Sequence, residues 1–266
     1  MHWDGSAWSE RALPGKRLKR IRGISSADVW AVGDSGTLLH WDGTSWTSAS
    51  EIVSDFGTAG VWSDAGETWM VGSVQRVDEK FWFSYSGVAL QRDGTGWKEL
   101  SSGLDARLSA VWGIDSHDLW AAGDRRAFHW DGATWQAFEV AANDQAITGL
   151  WGSSSTNLWA IGSTSDSAPK AWHWNGAAWS ERDVAAPSGA KLVSIWGTAA
   201  NDIWVVNEGG VVLHFDGGTW AQVMSQPYPL SRVFGTGSFR RLGCRSEVGL
   251  GGLGGAPASL ERHCVD

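Results

Sequence analysis

HWDGTSW, residues 40–46, decides the fold because the chain writes it nearly six times over. The other copies are HWDGSAW (2–8), QRDGTGW (91–97), HWDGATW (129–135), HWNGAAW (173–179) and HFDGGTW (214–220). All six carry Asp-Gly or Asn-Gly, dipeptides that tolerate positive φ and favour a primed two-residue hairpin turn. The phrase reads as a hairpin corner whose closing Trp anchors an outer strand.

Working outward, a second phrase keeps step with the first: ADVWAVGD (27–34), ETWMVGS (67–73), HDLWAAGD (117–124), TNLWAIGS (156–163) and NDIWVVNE (201–208). A third precedes it in AGVWSD (59–64), SAVWGI (109–114), TGLWGS (148–153) and VSIWGT (193–198). The turn residues Asp4, Asp42, Asp93, Asp131, Asn175 and Asp216 lie 38, 51, 38, 44 and 41 apart, a period of about 42. Each unit holds four short runs rich in Trp, Val, Ile and Phe with turn residues between, and no helical period survives across a unit. We letter these strands a to d, as in LSAVWGI (108–114), DLWAAG (118–123), AFHW (127–130) and TWQAF (134–138).

One sheet of this size cannot bury two apolar faces. Stacking copies radially buries them and leaves few edges, which predicts an all-β fold, a β-propeller of four-stranded blades. Of the 21 Trp, four fall on strand a, five on b, four on c and six on d. The structural repeat positions are Trp30, Trp69, Trp120, Trp159 and Trp204 on b, and Trp46, Trp97, Trp135, Trp179 and Trp220 on d. Aromatics of this size fill the wedge between blades.

Five units are complete between about 18 and 229. Residues 1–10 supply only strands c and d, and LSRVFGTGSF (230–239) reads as a further strand a with Phe234 in the Trp slot. Joining the ends predicts a sixth, composite and poorly formed closing blade. The expected domains are a propeller over 1–238 and an irregular tail over 239–266. Residues 235–266 hold eight Gly and no Trp, and whether the tail is a degraded strand pair or disordered is left open. Cys244 and Cys264 both lie in that tail, and their pairing is left open too.

These phrases resemble the Trp-rich tandem propeller repeats of bacterial secreted and surface proteins, and more distantly the Asp-box propellers. The resemblance covers about residues 1–238 and implies an extracytoplasmic or secreted setting, although MHWDGSAWSE is no signal peptide. Trp41-Asp42 and Trp130-Asp131 imitate the WD dipeptide without the Gly-His pair of those repeats, and SDAGETW (63–69) falls one residue short of an Asp-box.

The formal net charge of −8 argues against nucleic acid as a partner, and no apolar run is long enough to span a membrane. His2, His40, His129, His173 and His214 share one strand-c slot. Neighbouring blades sit about 10 Å apart, too far for such residues to converge on one metal ion, so each is read as bonding within its own blade. Asp28, Asp118, Asn157 and Asp202, two residues before a strand-b Trp, are read as turn caps. No catalytic set, metal site or cofactor motif stands out. GLGGLGG in the tail lacks the Lys-Ser/Thr of a phosphate-binding loop.

The copies differ mainly between b and c. Gly33 to Asp42 is 9 residues, Gly123 to Asp131 is 8, Gly162 to Asn175 is 13 and Gly72 to Asp93 is 21, while the c–d turn keeps one length. Variable loops on a constant scaffold are where binding sits. GSVQRVDEKFWFSYSG (72–87) reads as strands b and c prolonged around Asp78-Glu79, with Trp82 off the anchor positions. The candidate ligand-binding residues are Trp82, Tyr85, Arg76 and Lys80. RALPGKRLKRIR (11–22), six basic residues in twelve, reads as a site for an anionic glycan or phosphate, or as a solvated loop. The function expected is a non-catalytic binding or scaffold propeller for a glycan, protein or surface polymer, with a monomer favoured. The alternatives are a carbohydrate-active hydrolase or lyase, and a purely structural module or piece of a larger repeat protein.

Overall fold

The structure is a computed structural model that describes residues 2–3, 6, 8–9, 18–49, 57–64, 66–77, 83–92, 96–142, 145–187, 189–235, 249–250 and 258–259. The chain forms two compact units, Met1–Ser101 and Ser102–Asp266. It is an all-β propeller with five four-stranded blades, each with its strands antiparallel and adjacent in chain order.

The first unit opens with β1 (His2–Trp3) paired to β2 (Trp8–Ser9). Blade 1 follows with β3 (Leu18–Ser25), β4 (Asp28–Gly33), β5 (Leu38–Trp41) and β6 (Trp46–Ser48). Blade 2 is β7 (Gly57–Ser63), β8 (Thr68–Val77), β9 (Phe83–Arg92) and β10 (Trp97–Glu99).

The second unit holds three blades. Blade 3 is β11 (Leu108–Asp115), β12 (Asp118–Gly123), β13 (Arg126–Trp130) and β14 (Trp135–Glu139). Blade 4 is β15 (Gln145–Ser154), β16 (Asn157–Thr164), β17 (Pro169–Trp174) and β18 (Trp179–Arg182). Blade 5 is β19 (Leu192–Ala199), β20 (Asp202–Asn207), β21 (Val211–Phe215) and β22 (Trp220–Ser225), and a last pair joins β23 (Gly249–Leu250) to β24 (Ala258–Ser259).

The expected sixth blade is therefore corrected to five. The two terminal pairs are separate two-stranded sheets, and Leu230–Gly235 has no strand partner. That segment still imitates a strand a. Leu230 and Val233 are buried, the Val233 amide donates to Ser194 Oγ at 3.1 Å, and Arg232 Nη1 donates to the Val193 carbonyl at 3.1 Å. Its side chains fit the repeat, but no strand b follows among the described residues to hydrogen-bond it into a sheet.

Among the described residues, three strand-b tryptophans meet a strand-d tryptophan of the next blade, as the sequence implied. Within the first unit Trp30 of strand b meets Trp97 of the next blade's strand d edge-on, with centroids 5.5 Å apart. Within the second unit Trp120 meets Trp179 at 5.7 Å and Trp159 meets Trp220 at 5.5 Å in the same T-shaped way. Burying one such indole removes roughly 200 Å² from water, on the order of 5 kcal/mol. Trp172 fills the same core at 1 % exposure.

Every strand a carries a bulge near its start, with register shifts at Leu18/Arg20, Thr58/Gly60, Leu108/Ala110, Ile147/Gly149 and Leu192/Ser194. The extra residue is re-aimed by the bulge. Ser109 Oγ uses this to reach the Ile147 carbonyl of blade 4 at 2.7 Å, and Thr148 Oγ1 reaches the Leu192 carbonyl of blade 5 at 2.7 Å. The bulge also explains the Gly that ends strand b. A Cβ on Gly123 would lie 1.8 Å from the Arg107 carbonyl oxygen, and one on Gly162 would lie 2.0 Å from that of Ala146.

Candidate functional site

The two ends of a blade are built differently. At the a–b and c–d end, polar side chains are committed to the scaffold. His40 Nε2 lies 3.0 Å from Asp28 Oδ1, His129 2.8 Å from Asp118, His173 2.6 Å from Asn157 and His214 2.9 Å from Asp202. The same imidazoles lie against the strand-b indoles, with centroids 4.2 Å apart for Trp30–His40, 4.6 Å for Trp120–His129, 4.7 Å for Trp159–His173 and 4.3 Å for Trp204–His214. Each of these four histidines thus bonds within its own blade. Asp28, Asp118, Asn157 and Asp202, expected to cap turns, are partners of those histidines, and Asn157 and Asp202 also bond to Ser153 and Thr198 across their a–b turns. In the a–b turns of blades 1 and 3 neighbours cap the backbone, Ser25 Oγ accepting from the Ala27 amide and Asp115 Oδ1 from the His117 amide.

Blade 2 shows that the pair is a unit. Gln91 stands in the His slot, and its Nε2 donates to Glu67 Oε2 at 2.6 Å. Both members change together, so the hydrogen bond survives. Matching spacings between the two slots, rather than identical letters, was the signal available in the sequence.

At the c–d corner Asp and Gly are not both at positive φ as the primed turn was expected to need; only the Gly is. The Asp42 amide donates to the Ser45 carbonyl at 3.3 Å, as Asp131, Asn175 and Asp216 donate to the carbonyls of Thr134, Ala178 and Thr219. Trp41 pairs with Trp46, Trp130 with Trp135, Trp174 with Trp179 and Phe215 with Trp220 across the corner. Asp42 Oδ1 accepts from the Thr44 and Ser45 amides, both at 2.8 Å, and Asp131, Asn175 and Asp216 make the same pair of bonds. The side-chain acceptor adds to the backbone bond across the corner and takes the two amides that follow, and only the Gly has positive φ. Gly43, Gly132, Gly176 and Gly217 have φ of 98°, 92°, 93° and 99°. The amides of Ser45, Thr134 and Thr219 are the chief cause holding Asp42, Asp131 and Asp216 below the usual carboxylate range.

At the b–c end no two blades agree. Blade 1 uses a short 3₁₀ turn over Asp34–Gly36. Blade 3 turns on Asp124 and Arg125, with Asp124 at φ 45° and its carboxylate accepting from the Arg107 amide at 2.8 Å. Beside it Arg126 bridges Asp105 and Glu139, each at 2.5 Å. Blade 4 turns over 165–168, with Ser167 at φ 69°, and Lys170 pairs with Glu181. Blade 5 turns over 208–210, where buried Asn207 takes the Val211 amide at 2.8 Å.

Blade 2 departs furthest. Its strands b and c run ten residues each, paired without a shift from Thr68↔Arg92 to Val77↔Phe83. Because side chains alternate along a strand, Val74, Arg76, Ser84 and Ser86 share one face, and Gln75 and Tyr85 the other. Val74 packs on the core of this unit, and Arg76 Nε donates to Ser86 Oγ at 3.1 Å. Tyr85 is 38 % exposed opposite Gln75. The hairpin thus carries Arg76 and Tyr85 on adjacent rungs but on opposite faces. Trp82 and Lys80 lie outside the described residues.

Among the described residues, no group of three or more His, Cys, Asp or Glu is placed to hold a metal ion, and no helix is long and apolar enough to cross a membrane. Cys244 and Cys264 lie outside the described residues.

No family model matches the chain, and no curated protein matches it in sequence. Solved structures do. YCF48 bound to D1 peptide is 16 % identical with a TM-score of 0.53, covering 94 % of each chain. RRP9 WD40 repeats are 9 % identical with a TM-score of 0.61, covering 90 % of this chain and 76 % of that one. SapL1 lectin in complex with alpha methyl fucoside is 13 % identical with a TM-score of 0.53, covering 84 % and 83 %. At these identities the likeness is one of fold: a β-propeller of WD40-like repeats.

Proposed function

We propose that this chain is a non-catalytic binding propeller that offers the b–c ends of its blades, foremost the blade 2 hairpin, to a peptide or glycan. One observation carries the reading. Polar groups at the c–d ends are consumed by repeated internal bonds, whereas the b–c ends diverge and one of them extends by several rungs. Tyr85 and Arg76 are the described contact candidates, and Trp82 and Lys80, named from the sequence, complete the set. An exposed Tyr offers an amphipathic contact surface at small entropic cost, which suits either ligand class. The fold is compatible with both, since YCF48 was solved with a peptide and SapL1 with a fucoside. An extracytoplasmic setting belongs to the same proposal.

The test is a glycan array and a peptide library probed with the folded full chain, then repeated with Tyr85→Ala and Arg76→Ala. Binding to one class, weakened at least about tenfold by Tyr85→Ala with an unchanged melting curve, supports the reading. Blank arrays with folded protein, or binding indifferent to both substitutions, would remove it.

A further inference from the structure

The seams between blades of the second unit are apolar. Trp112 of strand a, paired across its own sheet with Trp120, stands 2.8 Å from where a Cβ on Gly152 of the next blade would begin. Gly152 heads a rung that continues through Leu158 and Trp174 to Trp179. Trp151 meets Gly197 in the same way at 2.8 Å, and that rung runs through Ile203 and Phe215 to Trp220.

The seam between blades 1 and 2, which lies wholly within the first unit, changes on both sides. The residue paired with Trp30 is Arg22, in the slot of Trp112 and Trp151. On blade 2 the matching rung is Ser63, Thr68, Arg92 and Trp97, in place of Gly, an aliphatic, a ring and Trp. The two rungs face each other. The Arg92 guanidinium lies over the Trp30 ring at 5.3 Å from its centroid, and Trp97 meets the same indole at 5.5 Å. Two cations thus occupy slots that elsewhere hold rings. Asp28, Asp34 and Glu67 of the same blades pair instead with His40, Lys19 and Gln91.

Two further observations make this seam a site. Ser63 is 3 % exposed, and its Oγ has no hydrogen-bond partner among the described residues. A buried hydroxyl in that state is costly, and a ligand that accepts its proton removes the cost. Arg22 is exposed, so a ligand can reach it, yet the protein around it desolvates the guanidinium enough to lower its pKa.

We propose that the seam between blades 1 and 2 binds a small oxyanion, a phosphate or carboxylate group, gripped by the Arg22 fork and by a hydrogen bond from Ser63 Oγ. A planar guanidinium presents two parallel N–H donors to such a group, and Arg92 adds positive charge from across Trp30. The site lies at the opposite end of β8 and β9 from Tyr85, so it goes beyond the hairpin reading and does not rest on it.

The test titrates the folded full chain by calorimetry with inorganic phosphate and with succinate, each against chloride at equal ionic strength. Saturable binding of at least one of them is expected, and the one that binds tells phosphate from carboxylate. Arg22→Gln is expected to weaken it at least about tenfold, and Ser63→Ala about fivefold without lowering the melting temperature, because that change also removes the buried hydroxyl. Lys98→Gln, which takes an exposed positive charge from the same blade, is expected to leave binding unchanged. No binding of either anion would overturn the inference. So would binding indifferent to Arg22→Gln and Ser63→Ala, or binding weakened as much by Lys98→Gln as by Arg22→Gln.

Discussion

The c–d end of a blade and its b–c end are made from the same strands, yet they differ in how much choice they leave. At the c–d end, four blades repeat one Asx loop, four repeat one His bond to Asp or Asn, and the fifth replaces that bond by Glu67–Gln91. At the b–c end a 3₁₀ turn, two non-Gly residues at positive φ and a hairpin of two ten-residue strands replace one another. The difference teaches that constancy follows hydrogen-bond closure. Once a half-buried His has a fixed acceptor, neither can change alone without leaving a polar group unsatisfied.

The strongest way to break this comparison is at the core that the c–d end supports. Trp120 is 1 % exposed and touches Phe138, Trp174 and Trp179. Trp120→Ala is expected to cost about 3–5 kcal/mol in urea unfolding. A cost under about 1 kcal/mol would mean that the indoles are not the mortar between blades. Next, Asp118→Ala removes the acceptor 2.8 Å from His129 and is expected to cost about 1–2 kcal/mol by the same measurement. An unaffected midpoint would show that the repeated bond is incidental.

A smaller effect sharpens the comparison between blades. His173 faces Asn157, not a carboxylate, and burial, helped by the positive charge of Arg182, lowers its pKa. A His whose folded pKa lies below the unfolded value contributes stability above about pH 6.5, and that contribution is lost as pH falls through the folded value. Asn157→Asp supplies the anion that blade 3 already has, so it is expected to reduce the loss of stability between about pH 6.5 and 5. Urea midpoints across that range would check it, and identical slopes for the two proteins would contradict it.

Much of this was legible in the sequence because indoles and Asp-Gly corners mark the strands at fixed places. Trp30, Trp69, Trp120 and Trp159, which share one repeat position, are all buried, and the long interval from Gly72 to Asp93 holds the extended hairpin. The blade count was not legible. LSRVFG has the right letters and even seats Trp196 on Gly235, but a strand is defined by a neighbour's hydrogen bonds, which those letters do not reveal. The corner was misread because Asp was credited only with tolerating positive φ, while its carboxylate competes to make the turn itself. Glu67 and Gln91 escaped notice because a conserved interaction had changed both of its letters. The long interval and its aromatics point to Tyr85 and Arg76 in the sequence, and only the register places them on opposite faces.

The most direct measurement trims the blade 2 hairpin, joining Val74 to Ser86 through Asn-Gly in place of residues 75–85. Val74 and Ser86 face each other across the ladder, so a two-residue turn closes there without disturbing the register. If the scaffold resides in the indoles and the c–d corners, the urea midpoint and the sheet spectrum should stay within about 0.5 kcal/mol of the parent. A loss as large as that from Trp120→Ala would show that the hairpin is part of the scaffold and would contradict the account.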